Sequence, residues 1–242
     1  MSFRFAKTGV CCGWQTPVFW CIFKRNKGAL RHFLALFLLF LCTYVASTQN
    51  AAPEGLAARV DRHYNSLHSL KVEFVQQYDG MGQHRRESGT LLLKKPARMK
   101  WTYSEPPGKL FVLDSKYAYF YAPGQTEVQR VPAKKLDDLR SPLRFLLGHA
   151  EIAKELTSLR MTQQGPDFVL SGIPKNLQQR VSSLEFTVTA DGVIEAIKIE
   201  EVDGSVSKFT FTGEVPNPPA ADADFVFQPP AGTSIVDGSA PE

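Results

Sequence analysis

The sequence predicts a mainly β, α+β fold: one sheet of roughly ten strands, a leading helix and a short helical insert. Three observations carry this. Apolar residues alternate with polar ones through most of the chain after residue 69, glycine- and proline-centred turns fall between the alternating runs, and only Leu56 to Leu67 and Lys134 to Leu156 break the pattern. A sheet that long, joined by tight turns, must curl or close.

Residues 1–47 read as a signal peptide. Lys24, Arg25, Lys27 and Arg31 precede a 13-residue apolar run, Phe33 to Val45, and small and polar residues follow from Ala46 to Ala52, which places the cut between about 47 and 52. The run falls short of the roughly 20 residues a membrane-spanning helix needs. Six of the 28 basic residues and none of the 24 acidic ones precede residue 48, leaving 22 against 24 and a net charge of −2. The basic character therefore belongs to the leader, and no nucleic-acid partner is expected. Cys11, Cys12, Cys21 and Cys42 also lie there, so residues 48–242 hold no disulfide and no cysteine-ligated metal. Leu39, Phe40 and Leu41 are too bulky to precede an acylated cysteine at Cys42. Residues 48–242, about 195 in all, are expected to form one domain.

Leu56, Val60, Tyr64 and Leu67 recur at spacings of four, four and three, one stripe of an amphipathic helix. Leu70, Val72 and Phe74 then alternate with Lys71 and Glu73, and Asp79-Gly80-Met81-Gly82 turns into a strand through Leu91, Leu92 and Leu93. Lys95-Pro96 interrupts it, because proline cannot donate to a ladder, and Met99, Trp101 and Tyr103 resume the alternation. Leu110 to Leu113 and Tyr117 to Tyr121 read as a hairpin across Asp114-Ser115-Lys116, and Glu127 to Val131 as a short strand. Ser141-Pro142 is an N-cap followed by proline at the first helical position, leading into Leu143, Phe145, Leu146 and Leu147 and stopping at Gly148. Strands are expected at Leu159 to Gln163, Phe168 to Leu170, Val181 to Thr189, Val193 to Val202 and Val206 to Thr212. Phe225 to Val236, containing Gln228-Pro229-Pro230-Ala231-Gly232, is expected as a last strand.

Motifs for hydrolysis, redox chemistry and nucleotide binding are absent, so neither an enzyme nor a cofactor is expected. His63, His68, His84 and His149 show no metal-ligand spacing and read as solvated or capping residues. Glu195, Glu200, Glu201 and Asp203 cluster on one hairpin, as a solvated strand face would.

Several runs, taken together and in order, are specific. Phe74-Val75-Gln76-Gln77, Leu91 to Pro96, Met99-Lys100-Trp101-Thr102-Tyr103, Pro106, Leu110 to Asp114, Tyr119-Phe120-Tyr121-Ala122-Pro123 and Phe225 to Gly232 resemble the periplasmic lipoprotein carrier family, LolA. The resemblance implies an open, incomplete antiparallel β-barrel of about ten to eleven strands with helices lidding the apolar concave face. It implies a monomeric periplasmic carrier that binds the acyl chains of lipidated proteins. Such a carrier accepts them from an inner-membrane ABC-type lipoprotein release complex and passes them to an outer-membrane lipoprotein receptor.

The family's arginine before the proline, which hydrogen-bonds the lid shut, falls on Lys95. Its backbone acceptors fall near Leu146 and Leu147 on the central lid helix and near Val60 or Tyr64 on the first helix. An aromatic lining the entrance falls on Met99. Alternation alone makes Met99, Trp101, Phe74, Leu91, Leu93, Phe186 and Phe209 ordinary core. The resemblance gives them a lipid-lining role and makes Leu143, Phe145 and Leu147 their cover. Two alternatives stay open: a related half-barrel module for glycolipid transport or envelope-stress sensing, and an enzyme acting on lipid.

Overall fold

The computed structural model describes residues 52–134, 145 and 151–238. Residues 1–47, read above as a signal peptide, and Ser141, Leu143, Leu146 and Leu147 lie outside the described residues.

Helix α1, Pro53–Ser66, begins with proline at a position whose N–H no helix would use, and carries Glu54 in its first turn. Leu56, Ala57, Val60 and Tyr64 are its buried residues, so the stripe read from the sequence is the face it buries. The chain turns extended at Leu67 and enters β1, Ser69–Gly80.

A meander follows: β2 (Gln83–Lys94), β3 (Arg98–Glu105), β4 (Leu110–Asp114), β5 (Tyr117–Tyr121) and β6 (Glu127–Pro132). After a one-turn helix α2 (Ile152–Glu155) comes a second meander. It comprises β7 (Leu156–Gln164), β8 (Asp167–Pro174), β9 (Val181–Val188), β10 (Ile194–Glu201) and β11 (Val206–Pro216). β1 pairs antiparallel with β2 on one side and β11 on the other, which welds the two meanders into one sheet. The short β12 (Ser234–Asp237) lies parallel to β6, and the order is β12-β6-β5-β4-β3-β2-β1-β11-β10-β9-β8-β7. Its ends, β12 and β7, do not pair with each other, so the barrel is open.

Cross-strand register explains why one face is apolar. Val72, Leu91, Trp101, Phe111 and Phe120 stand opposite one another in sequence across five strands, and Leu70, Leu93, Met99, Leu113 and Ala118 form the adjacent row. On the other side, Phe209, Ile197, Phe186 and Leu170 make a third row. Leu113 and Ala118 of the first meander belong to the same buried cluster as Leu156, Leu170 and Leu184 of the second. An open sheet of twelve strands rarely stays flat, and this one curls around its apolar face.

Several boundaries differ from expectation; β8, for one, runs on to Pro174 instead of ending at Leu170. The run Phe225 to Val236 is not one strand: a 3-10 turn occupies Asp222–Phe225, Phe227 stacks on Tyr119 at 4.9 Å on the opposite side of the sheet, and pairing begins only at Ser234. The stretch is irregular between its two ends because proline and glycine at Pro229-Pro230-Ala231-Gly232 cannot sustain a ladder. β7 starts at Leu156 instead of Leu159, since α2 is a single turn and Leu156 already pairs with Pro174. β11 continues four residues past Thr212, to Pro216, through a register shift opposite Val72.

Gly89 stands opposite Phe74, whose ring packs edge-on against Trp101 and Tyr103 at 4.5 and 5.2 Å. A Cβ there would lie 2.1 Å from the Thr102 carbonyl oxygen, so β2 and β3 must separate to admit one. Gly89→Ala is expected to destabilise the fold by about 1–3 kcal/mol, read as a lower urea midpoint. An unchanged midpoint would mean that the ladder yields freely there.

Asp61 on α1 accepts the Ile152 amide through both carboxylate oxygens, at 3.2 Å each, and so ties α1 to α2. Desolvation raises its pKa above the ordinary value of 3.8, outweighing that amide, and Glu151 adds to the rise. A raised carboxyl holds its proton more tightly in the folded state, so its contribution to stability is present at low pH and is lost as pH rises through the raised value. Asp61→Asn should therefore gain stability relative to the parent as pH increases from about 4 to 7. Urea titrations at several pH values in that range read the difference, and a constant difference would contradict the assignment.

Candidate functional site

Met99 and Trp101 sit on β3 two residues apart, facing the same side, with Leu93 and Leu91 opposite them on β2. The Trp101 indole N–H points at the Met99 sulfur at 2.8 Å. Around them the rings form a connected surface: Trp101 meets Phe74 at 4.5 Å and Phe209 at 6.1 Å, and Phe209 stacks with Phe211 at 6.5 Å. Phe186 is fully buried and takes the Phe145 ring edge-on at 5.0 Å. Met99, Trp101, Phe74, Leu91, Leu93, Phe186 and Phe209 are at most 7% exposed. The face is thus buried, in one cluster with Val60 and Tyr64 of α1 and with Phe145.

The Lys95 ammonium, in the turn between β2 and β3, donates to the Tyr64 carbonyl at the C-terminal end of α1. That carbonyl, which also accepts the Leu67 cap N–H at 3.3 Å, lies in the last turn of the helix, where the dipole favours a cation. The Lys95 backbone N–H meanwhile bonds the His68 carbonyl at 2.8 Å, just beyond the helix. Burial lowers the Lys95 pKa, so the charge is held at a desolvation cost that the Tyr64 carbonyl only partly offsets.

A second polar cluster fastens the same helix end to β11. The Tyr64 hydroxyl donates to Glu214 at 3.0 Å and accepts the Ile194 amide at 3.0 Å. Burial, reinforced by the Glu214 charge, pushes its pKa far up. The other Glu214 oxygen lies 2.6 Å from His63 Nε2. His63 is therefore neither solvated nor a cap, contrary to expectation. Hydrogen bonds to a charged group are worth about 1.5–3 kcal/mol, more than neutral ones.

Glu214 escapes a reading by alternation because of a β-bulge. Lys71 stands opposite Val215 and Glu73 opposite Thr212, so Val72 alone faces both Gly213 and Glu214. Gly213 adopts φ +62°, which glycine tolerates, and the extra residue turns Glu214 to the inner side. The nearest signal in the sequence is the Gly213-Glu214 pair at the end of an alternating run.

The opposite face of the sheet carries a recess of about 410 Å³ lined by Lys71, Thr90, Leu92, Lys100, Thr102, Pro218, Pro219 and Asp224. Its mixed polar lining contrasts with the aromatic surface around Trp101. The hairpin carboxylates separate: Glu201 pairs with Arg180 at 3.5 Å, and Asp203 accepts the Ser205 amide at 2.8 Å. Among the described residues no group of three or more histidine, cysteine or acidic side chains could hold a metal ion, and no helix is long and apolar enough to cross a membrane.

Known proteins place the chain. The sequence model described as outer membrane lipoprotein carrier protein LolA matches residues 65–228. A relative from Photorhabdus laumondii, named outer-membrane lipoprotein carrier protein, is 31% identical over 186 residues, 77% of this chain and 88% of its own. One of the same name from Nitrosospira multiformis is 25% identical over 205 residues, 83% of this chain and 95% of its own. The solved structure of a LolA superfamily protein from Nitrosomonas europaea aligns with a TM-score of 0.38 at 10% identity, covering 73% of this chain and 98% of that one. The match over residues 65–228, together with a relative above 30% identity across nearly its whole length, means that the chain belongs to the outer membrane lipoprotein carrier family, LolA.

Proposed function

We propose that this protein is a non-enzymatic periplasmic carrier that shields the acyl chains of lipidated proteins on the inner face of its open barrel. The reading is carried by one observation: an aromatic and aliphatic surface, Met99, Trp101, Phe74, Leu91, Leu93, Phe186 and Phe209, that is buried in one cluster with Val60 and Tyr64 of α1 on a sheet whose outer strands do not pair. Membership of a family of lipoprotein carriers supports the choice of ligand. In this reading the leader exports the chain. An inner-membrane ABC-type release complex loads it, an outer-membrane receptor unloads it, and it works as a monomer.

Burying a methylene is worth about 0.8 kcal/mol, so one enclosed 16-carbon chain gains on the order of 12 kcal/mol. A carrier with a vacant apolar face would hold such a ligand too tightly to pass on. Here ligand and cover compete for the same surface, so what the acyl chain gains is reduced by what the displaced side chains lose. Phe145 contributes to the part of that cover which is displaced, and Val60 and Tyr64 of α1 border it. Leu143, Leu146 and Leu147 are assigned to it from the sequence. Lys95 serves as the latch: as a point donor to one carbonyl it offers less than the planar fork of an arginine, so this carrier opens easily.

Lys95→Leu removes the latch and should increase the lipoprotein that co-purifies with the carrier by roughly tenfold, the equivalent of one hydrogen bond to a charged group. Quantitative immunoblotting of carrier co-expressed with a lipoprotein checks it, and no increase removes Lys95 from the role. Met99→Glu places a charge where an acyl chain would lie and should abolish lipid uptake, because an unpaired buried carboxylate costs several kcal/mol. Native mass spectrometry of the purified variant gives the answer, with undiminished acyl ligand as the contrary result.

A further inference from the structure

Resting on the carrier reading, we infer that Glu214 is a positioning residue that keeps α1 on the second meander, so that the cavity opens between α1 and the β2–β3 turn and α1 stays behind as a fixed wall.

The ties of α1 fall on two sides. Towards the second meander, Tyr64 and His63 share the two oxygens of Glu214 on β11, and the Ile194 amide at the start of β10 donates to the Tyr64 hydroxyl. The turn between β9 and β10 packs on the helix backbone itself: a Cβ at Gly192 would lie 2.7 Å from the Arg59 carbonyl carbon and 2.8 Å from the Val60 nitrogen. Asp61 adds the amide of Ile152, which leads through α2 into β7. Towards the first meander, Lys95 reaches the Tyr64 carbonyl.

The two sides differ in kind. The Glu214 carboxylate satisfies two side chains at once, Tyr64 is itself 1% exposed, and its hydroxyl both donates and accepts. Pulling α1 from β11 would strand a carboxylate, a phenol and a strand amide together, and buried polar groups without partners are costly. Releasing Lys95 does the reverse for that ammonium, since burial already disfavours its charge and freedom returns it to water. The weaker side opens first. Tyr64 carries both contacts, with its carbonyl on Lys95 and its hydroxyl on Glu214, so the Lys95 bond can break while the hydroxyl keeps the residue in place.

The Ile194 amide is a direct probe, because its acceptor is the hydroxyl of a helix side chain. Residue-resolved hydrogen exchange on the ligand-free carrier is measured for the parent, Glu214→Ala, Glu214→Gln and Lys95→Leu, with the Leu91 and Leu184 amides reporting global opening. Glu214→Ala should speed Ile194 exchange about tenfold more than it speeds exchange at Leu91 and Leu184, and Glu214→Gln, which still accepts from Tyr64, should restore most of the protection. Lys95→Leu should leave Ile194 within about threefold of the parent while the amide at position 95 exchanges faster. The inference is overturned if Lys95→Leu releases Ile194 as fully as Glu214→Ala does, or if Glu214→Ala speeds Ile194 no more than it speeds Leu91 and Leu184. Adding a triacylated lipopeptide separates this from the carrier reading: binding with Ile194 still protected supports both, and binding with Ile194 released overturns the fixed wall alone. Failure of the lipopeptide to bind overturns the carrier reading, and the ligand-free exchange pattern then decides the role of Glu214.

Discussion

β1 lies in the middle of the sheet, hydrogen-bonded to β2 along one edge and to β11 along the other, and this double pairing turns two meanders into one surface. Because strand side chains alternate, a single register then decides which residues of all twelve strands share a face. Val72 on β1 aligns Leu91, Trp101, Phe111 and Phe120 on one side, while Phe74 meets Phe211 on the other. The apolar face that results is too wide for water and is not closed by pairing of the outer strands. It must be covered by something else. The helix α1 joins the same buried cluster, and polar ties at its two sides hold it there.

Those ties illustrate how burial sets the strength of a hydrogen bond in opposite directions. Tyr64 is neutral, and burial only reinforces that neutrality while its hydroxyl keeps a donor and an acceptor partner. Lys95 is charged, and burial works against the charge it needs to hold the Tyr64 carbonyl firmly. An arginine at this position would be less strongly hydrated and would spread its donors over a plane. Lysine therefore makes the same contact with a smaller net gain on closing.

Much of this is legible in the amino-acid sequence. The spacing of Leu56, Val60, Tyr64 and Leu67 marks the buried side of α1, and the alternation through Met99, Trp101 and Tyr103 marks the inner side of β3, because both periods report directly on which residues avoid water. Two things are hidden for physical reasons. Glu214 follows a run whose alternation would carry it outward, and only the bulge opposite Val72 turns it in, a local defect with little sequence signature beyond a glycine. β12 is four residues long and pairs in parallel with a strand more than a hundred positions away, so neither its length nor its turn announces it. Membership of the family is readable because scattered runs keep their order over most of the chain. The partners of His63 are not, since 151 residues separate it from Glu214.

Hydrophobic burial is non-directional, so the face around Trp101 has little means of telling one acyl chain from another. Met99 strengthens the point, because an unbranched thioether adapts to irregular ligands instead of selecting among them. Directional chemistry is placed at the margins, where Lys95, Tyr64, Glu214 and His63 determine how the cover sits. In the proposed carrier role, a surface that accepts any grease and a cover held by a few oriented bonds would divide the work between them. The first would supply most of the affinity, and the second would set how much of that affinity remains once the cover has opened. Discrimination between cargoes would then belong to whatever presents the acyl chain and whatever receives it, because the oriented bonds sit on the helix and the sheet face is apolar throughout.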